Sequence, residues 1–123
     1  MFHENILKQA KANQYFRKVL VTGKHSQVVL MSIEVNEDIG LETHKEVDQI
    51  IIIADGKCKV LLNGEESIAS EGFLVFVQAG TKHNFINIDN KPLKLFTVYA
   101  PAQHKDGTIH KTKADAENEE ELY

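Results

Sequence analysis

The sequence predicts an all-β antiparallel sandwich or barrel with a short helix at each end. Three observations carry this. Runs rich in Val, Ile, Leu and Phe recur at short, even intervals; residue pairs suited to tight turns separate them; and no long segment with helical periodicity intervenes. In chain order, residues 3–12 place Ile6, Leu7 and Ala10 at helical spacing, which predicts a short amphipathic helix. Strands are expected over residues 19–21, 27–33, 49–54, 57–62, 73–77, 83–88 and 93–99. Asp55-Gly56 and Asn63-Gly64 tolerate positive φ and predict tight hairpins, while Glu71-Gly72, Ala79-Gly80 and Asp89-Asn90 supply further breaks. After Pro101 the chain turns polar. Thr112 followed by Asp115 predicts a capped helix start, and residues 117–121 are expected to form a solvated or frayed tail.

Composition supports a single domain. A chain of 123 residues with 42% hydrophobic content can bury a core but is short for two ordinary domains. Its formal net charge of −4, with no clustered Lys and Arg, argues against nucleic acid as the principal partner. The first residues, Met1-Phe2-His3-Glu4, open neither a signal peptide nor an apolar run long enough to span a membrane. The single cysteine cannot form an internal disulfide, so a cytoplasmic location is expected.

Two histidine-bearing segments concentrate the chemistry. The first contains Glu42, Thr43 and His44, then Gln49 and Gly56; the second contains Gly72, Gln78, Gly80, His83 and Asn87. Their joint spacing resembles the two motifs of the cupin superfamily. The resemblance spans about residues 15–101, leaving 102–123 as a C-terminal segment, and is closest to small single-domain bacterial cupins often labelled mannose-6-phosphate isomerase-like. Asp48-Gln49, Pro101-Ala102-Gln103-His104 and Asp106-Gly107-Thr108 are also similar to that group. The second segment keeps the usual spacing with Gln78 in place of proline. The first departs more, since cupins usually carry His-x-His and then Glu where this chain has Glu42, His44 and Gln49. Ile52 departs as well from an arginine common near that position. The resemblance implies a double-stranded β-helix, or jelly-roll barrel, with a metal held between facing strands, and it suggests a homodimer.

Strand geometry says how such a site would form. Side chains alternate between faces, so Glu42 and His44 point one way, Gln49, Ile51 and Ile53 can share a face, and His83, Phe85 and Asn87 form another set. Turned inward, these faces bring together two imidazoles, a carboxylate and an amide oxygen. The resemblance makes Glu42, His44, Gln49 and His83 the expected ligands of one divalent transition metal. Nitrogen and oxygen donors accept Fe, Mn, Zn or Ni. Gln49 is neutral and compensates an ion less than glutamate would. The alternative is a barrel whose histidines are simply hydrogen-bonded in its core.

Other candidates are read structurally first. Thr43 and Lys45 are expected to point outward, and Asp48 to orient its loop rather than contact a ligand. Tyr99 is expected to pack with its hydroxyl in water, and His104 and His110 to lie in an exposed loop. Nothing near Cys58 marks it as a nucleophile, and residues 50–53 read as core or a sheet interface. Two functions remain open: a metal-dependent enzyme acting on a small polar molecule, as an isomerase or a dioxygenase, and a non-catalytic module that binds a small molecule or metal. Neither Gly-rich phosphate loops nor Ser-His-Asp patterns occur at recognisable spacing.

Overall fold

The computed structural model describes residues 2–119. Helix α1 (Ile6–Ala12) leads into β1 (Arg17–Thr22), β2 (Gln27–Ile33), β3 (Glu42–Thr43), β4 (Asp48–Asp55), β5 (Lys57–Leu62), β6 (Glu65–Ser70), β7 (Leu74–Val77), β8 (Lys82–Asn87), β9 (Leu93–Ala100) and β10 (Ile109–His110), and α2 (Lys113–Glu117) follows. Two antiparallel sheets result. One has the order β10-β1-β2-β9-β4-β7 and the other β3-β8-β5-β6. This is the double-stranded β-helix implied by the resemblance.

The alternation read from the sequence generates the core. Along β9, Leu93, Leu95, Thr97 and Tyr99 are buried and the residues between them are less so. Gln49, Ile51 and Ile53 do the same on β4. From the opposite sheet Cys58, Val60, Phe85 and Ala69 meet them. A fully buried Ile, Leu or Phe contributes roughly 1.5–3 kcal/mol, so this cluster supplies the main driving force holding the sheets together. Helix α1 starts where Asn5 Oδ1 accepts from the Lys8 amide at 3.0 Å. Its Ala10 and Ile6 pack against Leu30, Ala54, Leu20 and Phe96 on the outer face of the larger sheet. Helix α2 starts with the reciprocal capping box of Thr112 and Asp115.

Several expectations need correction. Asp55-Gly56 does not close a hairpin: β4 pairs with β7 and β9, whereas β5 pairs with β6 and β8, so the chain passes from one sheet to the other at Gly56. Asn63-Gly64 does form the expected two-residue hairpin, with φ of 49° and 87° and Leu62 opposite Glu65. Strand β6 escaped the apolar criterion because its Glu65, Glu66, Ser67 and Ile68 are exposed and its pairing is mostly backbone. The very short β3 and β10 carry too few residues for a periodic signal. Of the expected tail, Glu117 ends α2 and the Glu119 carboxylate accepts from His110 at 2.6 Å; residues 120 and 121 lie outside the described residues.

Candidate metal centre

Register brings the two histidine segments together. Glu42 on β3 lies directly opposite His83 on β8, so their side chains emerge on one face as cross-strand neighbours. His44 follows at the end of β3, and its ring centroid lies 5.3 Å from that of His83. The turn before β8 clasps the loop after β3. Gly80 donates its amide to the His44 carbonyl at 2.8 Å, and Ala79 donates to Asp48 Oδ1 at 2.9 Å. Gly80 has φ of +88°, which its missing side chain permits. The clasp gives Asp48 the orienting role expected of it.

One ligand-type atom from each of Glu42, His44 and His83 lies within 4.8 Å of the others, and Glu42 Oε2 is 3.9 Å from His44 Nε2. Donors on opposite sides of an ion bound at about 2.1 Å stand roughly 4.2 Å apart, so small inward movements would close this group on a cation. His83 is buried, and burial lowers its pKa, favouring the neutral ring. Its Nδ1 donates to the Thr81 carbonyl at 2.8 Å, leaving the lone pair on Nε2. An outer hydrogen bond of this kind commonly fixes the tautomer of a ligating histidine.

Gln49 is 2% exposed, and its Oε1 is buried without a hydrogen-bond partner. It stands beside Tyr99 across the β4–β9 ladder, and Tyr99 in turn meets the His44 ring edge-on at 6.0 Å. A buried carbonyl oxygen with no donor costs about 1–3 kcal/mol. A cation or ligand reaching it would remove that cost. The donor set and the orphaned oxygen both fit a divalent ion.

Asn87 has a different part. Its amide donates to the carbonyls of Ile33, Glu34 and Lys91, and its Oδ1 accepts from the Asp89 amide, so it ties the end of β2 to the turn after β8. Thr43 and Lys45 are exposed, as expected.

Tyr99, His104 and His110 depart from expectation. Tyr99 is 2% exposed, so its hydroxyl does not reach into bulk water. His104 and His110 are each 3% exposed rather than in an open loop. His104 packs edge-on against Tyr99 at 5.1 Å, its backbone held by Gln27, whose side chain accepts the His104 amide and donates to its carbonyl. His110 sits on β10 and pairs with Arg17 and Glu119. The polar, Gly-containing segment concealed this burial. Gln27 was the missing signal: a polar residue within an apolar strand run that captures the loop.

Cys58 is wholly buried, and burial pushes its thiol up to about 11, which leaves it unreactive at neutral pH. Beside His44 a cavity of about 490 Å³ opens between Val47 and the Pro101-Ala102-Gln103 segment, giving a small molecule room next to the histidine. Among the described residues no helix is long and apolar enough to cross a membrane.

Residues 29–99 match the family described as Cupin domain. The chain is 48% identical over 122 residues to the uncharacterized protein YrkC of Bacillus subtilis, a match covering 94% of this chain and 65% of YrkC. It thus spans just under two thirds of that relative's length. The crystal structure of BH2720 from Bacillus halodurans superposes with a TM-score of 0.95 at 43% identity, covering 96% of this chain and 94% of BH2720. Quercetin 2,3-dioxygenase of Bacillus subtilis is 31% identical over 64 residues, which is 52% of this chain but 19% of that enzyme.

Proposed function

The chain belongs to the cupin family, and from that premise we propose that it is a single-domain metal-dependent cupin acting on a small polar molecule. The observation that carries this reading is the convergence of Glu42, His44 and His83, to which Gln49 would add its partnerless oxygen. These four residues are the proposed ligands of one divalent ion, Fe, Mn, Zn or Ni. When bound, such an ion supplies Lewis-acid polarisation of a carbonyl or hydroxyl, as an isomerase needs, or one-electron chemistry, as a dioxygenase needs. The chain's own part is to present the His83 imidazole, kept neutral by burial and held in one tautomer by the Thr81 carbonyl, and to exclude bulk water with Tyr99 and the segment carrying His104. Gln49 favours a second reading, a binding module without turnover, because a neutral ligand leaves less negative charge to hold the ion.

The test begins with protein purified without added metal or a nickel column. Elemental analysis should find about one transition metal per chain. Aldose phosphates and quercetin are then offered to metal-loaded and chelator-treated protein, with isomerisation and oxygen uptake followed. Turnover only in the loaded protein supports the enzyme; tight metal binding with no turnover supports the module. Failure to bind any divalent ion would sink the metal-dependent enzyme and leave the module only as a small-molecule binder.

The proposal includes a homodimer. On the outer face of the larger sheet Phe76, Ile50, Val98 and Val28 stand in one cross-strand row, with Leu74, Ile52, Phe96 and Leu30 in the next. Helix α1 covers the Leu30 end, but Leu74 and Phe76 remain 59% and 53% exposed. A continuous apolar face of this kind suits a second copy related by a two-fold axis. Phe76→Glu is expected to convert a dimer into monomers in sedimentation velocity; a parent protein that is monomeric at tens of micromolar would refute the assignment. A cytoplasmic site of action, supported by the unpaired Cys58, is checked by cell fractionation.

A further inference from the structure

Glu42 also lines a second cavity, of about 240 Å³, together with Phe16, Arg17, Ile39, Lys113 and Glu117 among others. Arg17 is the unusual member. It sits on β1, is 4% exposed, and lies over the Phe16 ring at 5.2 Å. A guanidinium offers five N–H donors. Among the described residues its engagement is through Nη1, on His110 Nδ1 at 3.1 Å, and Nε is buried without a partner. Among the described residues no carboxylate lies within 4.0 Å of it to form an ion pair.

The nearest compensation is indirect. Arginine can only donate, so His110 accepts through Nδ1 and must carry its proton on Nε2, which donates to Glu119 at 2.6 Å. That relay places the counter-charge one residue away, on a glutamate whose side chain is half exposed. The other cation in the cavity is already satisfied, because the Lys113 ammonium pairs with Asp38. A buried guanidinium whose Nε–H is unpartnered and that faces no carboxylate directly is costly to maintain for structure alone, whereas an incoming anion beside it would supply the missing counter-charge.

We propose that Arg17 binds the carboxylate group of a small organic acid that occupies the cavity between Arg17 and Glu42. This rests on the metal-site reading in that the acid's other end would face Glu42, which lines the same cavity, making small carboxylic acids the substrate class. A guanidinium carries paired N–H donors whose spacing matches the two oxygens of a carboxylate. Glu42 and Glu117, which line the same cavity, disfavour a more highly charged phosphate, and a neutral alcohol would leave the buried cation uncompensated.

The probe is acetate, with acetamide as its neutral isostere and inorganic phosphate as the competing anion, each titrated into chelator-treated protein. The Arg17 Nε–H resonance is followed by nitrogen-edited NMR. Acetate should shift it saturably, and acetamide should not. Arg17→Lys, checked for an unchanged melting profile, should weaken acetate binding roughly tenfold or more. An Arg17 resonance indifferent to acetate overturns the proposal even if the variant fails to fold, as does equal response to acetamide or tighter binding of phosphate. Because metal is absent throughout, this result stands apart from the metal titration: protein that binds no ion but shifts with acetate rejects the metal reading and retains the Arg17 site.

Discussion

His44→Ala and His83→Ala are each expected to lose nearly all bound divalent metal while keeping a folded, β-rich domain. Removing an outer hydrogen-bond partner of a ligand commonly costs 10–100-fold in affinity, so loss of a direct donor should cost at least about 100-fold. His44 is partly open to solvent beside Glu42, and a smaller residue there should admit water without collapsing the sheet. His83 is buried, and its removal also frees the Thr81 carbonyl, so His83→Ala should melt lower as well. Gln49→Glu completes the series in the opposite direction. The added carboxylate should tighten binding, Mn most of all, because hard cations prefer charged oxygen. Without metal the same variant should melt below the parent, since two neighbouring carboxylates repel. Metal titration alongside apo and loaded melts reads all three. Unchanged metal content in both histidine variants would remove the assignment, and a Gln49→Glu variant matching the parent in affinity and apo stability would place Gln49 away from the ion.

Gly56→Val should be among the most damaging single substitutions in the chain. Gly56 has φ of +101°, a conformation that β-branched residues scarcely reach, and a Cβ there would lie 3.3 Å from both Cα and Cδ1 of Leu93. Leu93 is wholly buried and cannot retreat without opening the core. Backbone strain and overpacking together should cost roughly 3 kcal/mol or more. Gly64→Val is the natural control, because Gly64 has a positive φ of 87° but open space around its Cβ position. It should lose only the strain, roughly 1–2 kcal/mol. Urea unfolding of both variants tests the contrast; equal losses would show that contact with Leu93 contributes nothing.

The contrast between these glycines also shows how far the sequence could be read. Both follow a turn-favouring residue, and both were expected to close hairpins. Only Asn63-Gly64 does, because local propensity reports that the backbone bends and cannot report which sheet receives the next strand. Strands with buried, alternating faces were legible, β2 and β5 to the residue and β4 and β9 nearly so. Strand β6 was not, since its side chains face water and only main-chain pairing reveals it.

The candidate site divides in the same way. Glu42, His44 and His83, which the structure brings within 4.8 Å of one another, could be singled out together because motif spacing is a property of the chain itself, and Gln49 was proposed on the same ground. The burial of Tyr99, His104 and His110 was not legible, because it depends on Gln27 and Arg17, residues far away in sequence, the first read only as part of a strand and the second left outside any element. Arg17 in particular gives no local sign of its enclosure. A basic residue opening a strand ordinarily reads as solvent-facing.

The clasp of His44 and Asp48 on the 78–81 turn separates two design problems that many sites entangle. Its bonds run to main-chain amides of Ala79 and Gly80, and one of its acceptors is the backbone of His44. The side chain of His44 can therefore be exchanged without cutting the scaffold that positions it, as can those of Glu42 and Gln49. Such a chassis allows the donor set to drift from histidine to carboxylate or amide one position at a time, each intermediate remaining folded. The unusual combination of Glu42 and Gln49 on an otherwise ordinary barrel is then an accessible evolutionary step, and an engineer could retune metal preference here by substituting ligands alone.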